Sequence, residues 1–218
     1  AQTDVALRDN LAVSLGLEVQ RERASSTFIT GATFNTIPVR RRVVGSFGEA
    51  RIDAGQLFVT AGLRVEHIRR NLLEGNPNAF SPRPTFDAAS EVSANPKLSL
   101  GYFLQPAAAR SRSWTRLRFS AGTGIRPPNA FEIAFTDNPT LKPERSRSVD
   151  FGVKQALAGG AVAVEATAFF NRYDDLIVAV GQSLQNASQF RTDNIANSQA
   201  RGVEIATLVR TAWGLDVR

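Results

Sequence analysis

Cysteine, histidine and paired carboxylates are the residues from which catalytic and metal sites are most often built, and this 218-residue chain has few of them. With no cysteine and a single histidine, His67, it has no thiolate cluster, disulfide framework or cysteine nucleophile. Little is left for a zinc site or a Ser-His-Asp machine. His67 lies beside Glu66 and just before Arg69 and Arg70. A hydrolytic base there needs a fixed serine or aspartate partner, and no G-x-S-x-G, H-E-x-x-H or second histidine supplies one. Asp174 and Asp175 are adjacent carboxylates, but consecutive strand residues face opposite ways, which argues against an acid–base pair or a metal site. Gly159-Gly160 reads as a turn rather than a phosphate loop. The expectation is no enzyme, no cofactor and no metal.

The surrounding composition narrows the class further. Lys plus Arg number 26 against 20 Asp plus Glu, a net charge of +6, with a pI near 10.6. Such a balance invites nucleic acid. The arginines, however, are scattered, with only Arg40, Arg41 and Arg42 in a run and no aromatic–basic patch beside them, so nucleic acid is not expected as a partner. The chain has no methionine, and Ala1 to Asn10 do not resemble a signal peptide; a piece of something longer is expected. No apolar stretch reaches the roughly 18 residues of a membrane-crossing helix. A transmembrane barrel stays open, because its strands alternate apolar and polar residues and average to an ordinary mean hydropathy, here −0.16.

The alternation is present. Leu11, Val13, Leu15, Leu17 and Val19 oppose Ala12, Ser14, Gly16, Glu18 and Gln20; Leu57, Val59, Ala61, Leu63 and Val65 oppose Gln56, Thr60, Gly62, Arg64 and Glu66, with Phe58 the exception. Leu98, Leu100, Tyr102 and Leu104 oppose Lys97, Ser99 and Gly101, with Phe103 off pattern. The period of two continues through Thr115–Ala121, Val149–Lys154, Val162–Asn171 and Val203–Val209, and a further strand begins near Gly214. Val43–Asp53 alternates weakly, and parity does not assign its faces. The prediction is an all-β antiparallel chain. A soluble sandwich shows the same one-sided alternation, but strands of roughly 10 to 14 residues exceed the usual 5 to 6.

Connection lengths discriminate further. Tight connections are predicted at Asp53–Gln56, Gln105–Ser111, Leu157–Gly160 and Thr211–Gly214, and long ones at Glu22–Arg41, Arg69–Glu91, Thr123–Ser146 and Asp174 to about Asn197. Short and long alternate, as in outer-membrane barrels with short periplasmic turns and long outer loops. The apolar face would then meet lipid. Arg64, Glu66, Lys97, Arg116, Arg118, Asp150, Lys154, Glu165 and Glu204 would line a wet or plugged lumen, with cross-strand ion pairs between them. Aromatic girdle evidence is neutral: Trp213 and Tyr173 fall near strand ends, whereas Trp114 shares the parity of Arg116.

From Gly122 the chain reads GTGIRPPNAFEIAFTDNPTLKPERSRSVDFGVKQ, and this resembles the TonB-dependent receptor family of outer-membrane active transporters. Gly124 to Glu132 resemble the segment by which a strand leaves for an outer loop. Asn138 to Ser146 resemble the return into the next strand. Phe169–Ile177 resembles the end of the following upward strand, and Asn194 with Ala200, Arg201, Gly202, Val203 and Glu204 resembles the asparagine and RGVE element that comes back. Asn95, Pro96 and Lys97–Tyr102 match more loosely. These residues also make physical sense alone. Pro127 and Pro128 fix φ and remove two donors where the chain leaves the sheet; Glu144 is placed to pair with Arg145 and Arg147; Gly202 suggests a bulge or a close backbone approach. Shaping the rim is therefore the favoured role for these motifs, ahead of ligand contact.

The resemblance implies one section, residues 1–218, of a 22-stranded up-and-down barrel with a plugged lumen, about nine strands being present and the plug domain, TonB box and final strands absent. It implies an active transporter that binds a scarce nutrient of the ferric siderophore, haem or cobalamin type at outer loops and imports it with energy relayed by TonB through the plug, in the bacterial outer membrane. Lipid and lipopolysaccharide are the surrounding partners. A passive porin is the alternative, and an adhesive or soluble β-module a third. By the same resemblance the ligand-binding candidates are Arg69, Arg70, Arg83 and Arg126 for an anionic ligand, and Phe131, Phe135 and Tyr173 for an aromatic one.

Overall fold

The computed structural model describes residues 1–30, 33–75, 84–110, 112–134, 136, 138–184, 187–194, 197–210 and 216–217. In chain order the strands are β1 (Gln2–Arg8), β2 (Leu11–Thr30), β3 (Thr33–Ala54), β4 (Leu57–Arg70), β5 (Ala89–Phe103), β6 (Trp114–Arg126), β7 (Glu144–Leu157), β8 (Val162–Asp174), β9 (Ile177–Leu184), β10 (Ala187–Asn194), β11 (Ser198–Arg210) and β12 (Asp216–Val217). One short helix, α1 (Ala130–Ala134), lies between β6 and β7. The main sheet is an antiparallel meander in the order β1-β2-β3-β4-β5-β6-β7-β8-β11-β12, with β9 and β10 as a separate hairpin. Among the described residues the sheet is open, with β1 and β12 at its edges, and no helix is long and apolar enough to cross a membrane.

Register converts the alternation into two continuous faces. Directly opposed residues in an antiparallel pair point to the same side. Leu15 opposes Gly48, which opposes Leu63; Leu98 opposes Ala121, Val149 and Phe170 in succession; and Ala168 opposes Val203. The apolar residues thus form one uninterrupted surface. They are also exposed: Leu17 is 64% accessible, Val203 67% and Ile205 73%. A soluble sandwich buries such a face against a second sheet; here nothing among the described residues covers it, and a contiguous apolar surface of this extent marks a lipid contact.

The opposite face carries the charges, and they pair as the alternation predicted. Arg64 reaches Glu18 at 2.7 Å and Glu66 at 2.8 Å, and Glu165 takes both Arg118 at 2.5 Å and Lys154 at 3.4 Å. Ser120 donates to Asp150 at 3.0 Å. Curvature follows from α1, which succeeds β6 yet packs on β2 and β3, four and three strands away. Along a flat sheet those distances are about 19 and about 14 Å at about 4.8 Å per strand, while Pro127–Asn129 span only about 10 Å. The sheet is therefore curled with its charged face inward.

Several elements differ from expectation. β1, with its Asp9–Asn10 turn, was not foreseen in the first ten residues. Val43–Asp53 belongs to a full strand, and register settles its faces: Val44, Ser46, Gly48, Ala50 and Ile52 lie on the apolar side. Most of the supposed loop Glu22–Arg41 is strand, since the β2–β3 ladder runs on to Thr30 and Thr33. The span 174–197 contains the β9–β10 hairpin. Gly55, at φ +65, opens the tight β3–β4 turn as expected of a residue without Cβ. The predicted turn at Thr211–Gly214, like Trp213, lies outside the described residues.

The off-pattern aromatics share one place. Phe58, Phe103 and Trp114 all sit on the charged face at the short-turn end, Phe103 stacking edge-on against Phe58 at 5.6 Å and Trp114 at 5.3 Å. Arg110 lies 3.9 Å over Phe103, and Arg116 lies over both phenylalanines. They break parity because they build a local cluster on the inner wall.

Candidate functional site

At the long-connection end, the segments singled out by sequence converge on one junction. The Arg126 guanidinium holds two carboxylates: Nε and Nη2 donate to Glu144 at 2.6 and 2.5 Å, and Nη1 and Nη2 donate to Glu132 at 3.1 and 2.9 Å. Glu132 closes a reciprocal cap on α1, its carboxylate accepting from the Asn129 amide at 2.8 Å while the Asn129 side chain accepts from the Glu132 amide at 2.9 Å. Pro127 and Pro128 precede that cap, so the chain leaves the ladder and starts a helical turn within three residues.

The returning segment is tied by asparagines. Asn138 accepts from the Thr140 amide at 2.9 Å, an Asx turn, and donates to Asp193 at 2.9 Å. Asn194 accepts from the Lys142 amide at 2.8 Å and donates to the carbonyls of Lys142 at 3.0 Å and Asp175 at 2.6 Å. Asp175 adopts φ +57 to present that carbonyl. Glu144 also accepts from the Ile177 amide at 2.8 Å, and Thr192 donates to the Glu132 carbonyl at 2.5 Å. Three separate chain segments are thereby locked together, which accounts for their residue types without any ligand. The expected pairing of Glu144 with Arg145 and Arg147 is replaced: Glu144 pairs with Arg126, its ladder partner on the inner face, Arg145 pairs with Glu91, and Arg147 with Asp174 at 3.7 Å.

Beneath this junction lies a small outer core of Val39, Leu73, Phe86, Ile133 and Ala134, closed by mutual backbone hydrogen bonds between Leu73 and Phe86 at 3.0 and 2.9 Å. A cavity of about 330 Å³ adjoins it on the inner side, walled by Ile68, Phe86, Ile133, Pro127, Pro128 and the 139–143 segment, with Arg41, Arg70 and Lys142 at its lining. Arg41 pairs with Glu22 and donates to the Pro128 carbonyl at 2.8 Å, fixing the proline pair over β3. Arg70 lies 5.6 Å over the Phe86 ring and donates to the Asp87 carbonyl at 3.0 Å. The cavity is apolar in its walls and edged by Arg41, Arg70 and Lys142 together with the Glu91 carboxylate, which pairs with Arg145; the edge is net positive, a combination suited to an anionic ligand with an apolar body.

The sequence candidates separate accordingly. Arg70 lines the cavity. Arg69, its neighbour, lies on the opposite, lipid-side face opposite Arg42. Arg126 is engaged by Glu132 and Glu144. Phe131 is half-exposed on α1, and Tyr173 stands on the inner wall opposite Ser146 and Ser198. Arg83 and Phe135 lie outside the described residues. Arg41, Ile68, Phe86 and Lys142 were missed; the Arg40–Arg42 run was visible, but only register shows that Arg41 alone faces inward. His67 contacts Ser90 at 2.7 Å and Arg69 at 3.2 Å. Asp174 and Asp175 take different partners, Arg172 at 2.9 Å and Lys142 at 3.7 Å, as their opposed parity required. Gly202 makes the expected close approach without a bulge: a Cβ there would lie 3.0 Å from the Phe169 ring.

A curled meander with a bare apolar exterior and a charged interior is a section of a membrane β-barrel, and the chain belongs to the family described as TonB dependent receptor-like, beta-barrel, whose model matches residues 2–218. It is similar to the Vitamin B12 transporter BtuB of Vibrio vulnificus (strain YJ016), at 31% identity over 168 residues, 76% of this chain and 24% of that protein. Among solved structures it is similar to the copper transporter OprC, with TM-score 0.71 and 17% identity over 94% of this chain and 34% of that one. The FrpB iron transporter from Neisseria meningitidis (F3-3 variant) gives 0.67 and 14% over 97% and 32%. The Serratia marcescens hemophore receptor HasR gives 0.66 and 17% over 95% and 38%. The chain thus spans about a quarter of the curated relative and about a third of these structures. The family is one of transport proteins of the bacterial outer membrane rather than enzymes, and its topology makes the long-connection end extracellular.

Proposed function

We propose that residues 1–218 form one section of the barrel wall of an active outer-membrane transporter, with the plug domain and remaining strands supplied by the rest of a longer chain. The whole protein captures a scarce nutrient of the ferric siderophore, haem or cobalamin type and imports it with energy relayed by TonB through the plug. The observation that carries this reading is the cavity at the extracellular, inner end of the sheet, apolar in its walls and edged by Arg70 and Lys142. Similarity to a vitamin B12 transporter supports a large organic ligand. Arg70 is the leading contact, with Tyr173 and Phe131 as aromatic contacts and Arg126 as the brace that holds α1 over the cavity.

The test is uptake by cells dependent on the full-length protein, offered ferric siderophores, haem and cyanocobalamin in turn. Collapse of accumulation on adding a protonophore is the expected result; undiminished passage identifies a passive porin instead. Arg70→Gln is expected to weaken binding of an anionic ligand by about tenfold, the loss of one charge-assisted hydrogen bond.

A further inference from the structure

On the lipid side, the apolar band ends abruptly at the extracellular end of β2, β3 and β4. Val19, Val44, His67 and Val92 form its last row. Two residues further along each strand, about 7 Å, the next row is Arg21 opposite Arg42 and Arg42 opposite Arg69, and beyond it Arg23 is opposite Arg40. Directly opposed residues have Cβ atoms about 5 Å apart, and like charges so placed repel. Arg21, Arg23, Arg40 and Arg42 are exposed, and none takes part in any ion pair among the described residues.

The same sheet shows how such a clash is relieved internally. Arg147 and Arg172 are also directly opposed on the lipid side, and Asp174 lies between them, 3.7 Å from one and 2.9 Å from the other. Among the described residues no carboxylate pairs in that way with Arg21, Arg23, Arg40 or Arg42. We propose that phosphate groups of a glycolipid in the outer leaflet play that part, bridging the opposed guanidinium forks. A lipid is favoured over free phosphate because the arginine rows border the exposed apolar band directly. Acyl chains lying on Val19 and Val44 bring their own headgroup to Arg21 and Arg42. The inference rests on the outer-membrane orientation and not on transport, so its readout involves no uptake.

The experiment uses the full-length protein reconstituted into phosphatidylcholine vesicles containing lipopolysaccharide with its phosphates intact or removed by phosphatase, followed by detergent extraction and quantification of retained glycolipid. Wild-type protein is expected to retain the phosphorylated form at least about tenfold better than the dephosphorylated form. A variant combining Arg21→Gln, Arg23→Gln, Arg40→Gln and Arg42→Gln is expected to lose that preference, and the corresponding four-lysine variant to keep most of it. Equal retention of the two glycolipids by wild type overturns the proposal, a comparison that needs no variant to fold. A glutamine variant that is folded by its heat-modifiable gel mobility and keeps the wild-type preference for the phosphorylated form also overturns it. Saturation by inorganic phosphate with no competition from glycolipid overturns the lipid assignment.

Discussion

Asn194 makes three hydrogen bonds, to both backbone groups of Lys142 and to the Asp175 carbonyl, tying the returning segment to the β8–β9 corner. Its amide serves as donor and acceptor together. Asn194→Ala is expected to destabilise the folded barrel by roughly 2–3 kcal/mol, at about 1 kcal/mol for each bond lost, read from the urea midpoint of the full-length protein. Asn194→Asp keeps the acceptor, loses both donors, and should fall between the two. At this scale the sequence was only partly legible. It marked Asn194, Asn138, Glu132 and Arg126 as one resembling set, but which carboxylate met which guanidinium depended on inward and outward directions at strand ends. Glu144 was accordingly matched to the wrong arginines.

Each strand obeys a rule that its own residues state. Leu100 and Ser99 are neighbours on β5, yet Leu100 opposes Val59 and Phe119 on the lipid side while Ser99 opposes Thr60 and Ser120 within. Leu100→Arg is therefore expected to cost about 2–4 kcal/mol near the bilayer midplane, whereas Ser99→Arg enters a wet, charged wall and should cost well under half as much. Reversible unfolding of the full-length protein in lipid vesicles separates them; equal losses would contradict the assigned faces. The rule was readable for strands with strong contrast and unreadable for Val43–Asp53, where Val43 and Phe47 face inward and Ser46 and Gly48 outward. There only the neighbouring strands β2 and β4 decide. Phe58, Phe103 and Trp114 broke the rule for a reason no single strand contains, since the cluster needs β4, β5 and β6 side by side.

For the whole molecule, the alternation of short and long connections becomes two ends on opposite sides of a membrane. The absence of cysteine makes this directly testable. In the full-length protein, a cysteine at Thr140, exposed in the long β6–β7 connection, is expected to react in intact cells with a PEG-maleimide too large for porins. A cysteine at Ala108, exposed in the short β5–β6 connection, is expected to react only after the outer membrane is permeabilised. The reverse pattern would invert the orientation and move the arginine rows to the periplasmic leaflet.

By itself the sequence determined the all-β class, the lipid and lumen faces of most strands and the alternation of connections, because a period of two is a local property that each strand writes into its own residues. Tertiary structure decided the rest. Leu73 and Phe86 come from the β4–β5 connection and Ile133 from the β6–β7 connection, and they share no period, so their outer core and the cavity beside it exist only once the sheet curls and α1 crosses to β2 and β3. In the sequence Arg40–Arg42 is a single run; register divides it, sending Arg41 inward to Glu22 and Pro128 and leaving Arg40 and Arg42 facing opposed arginines across the ladder. Charge is a property of a residue, but whether that charge is paired depends on what the fold places within a few ångströms of it.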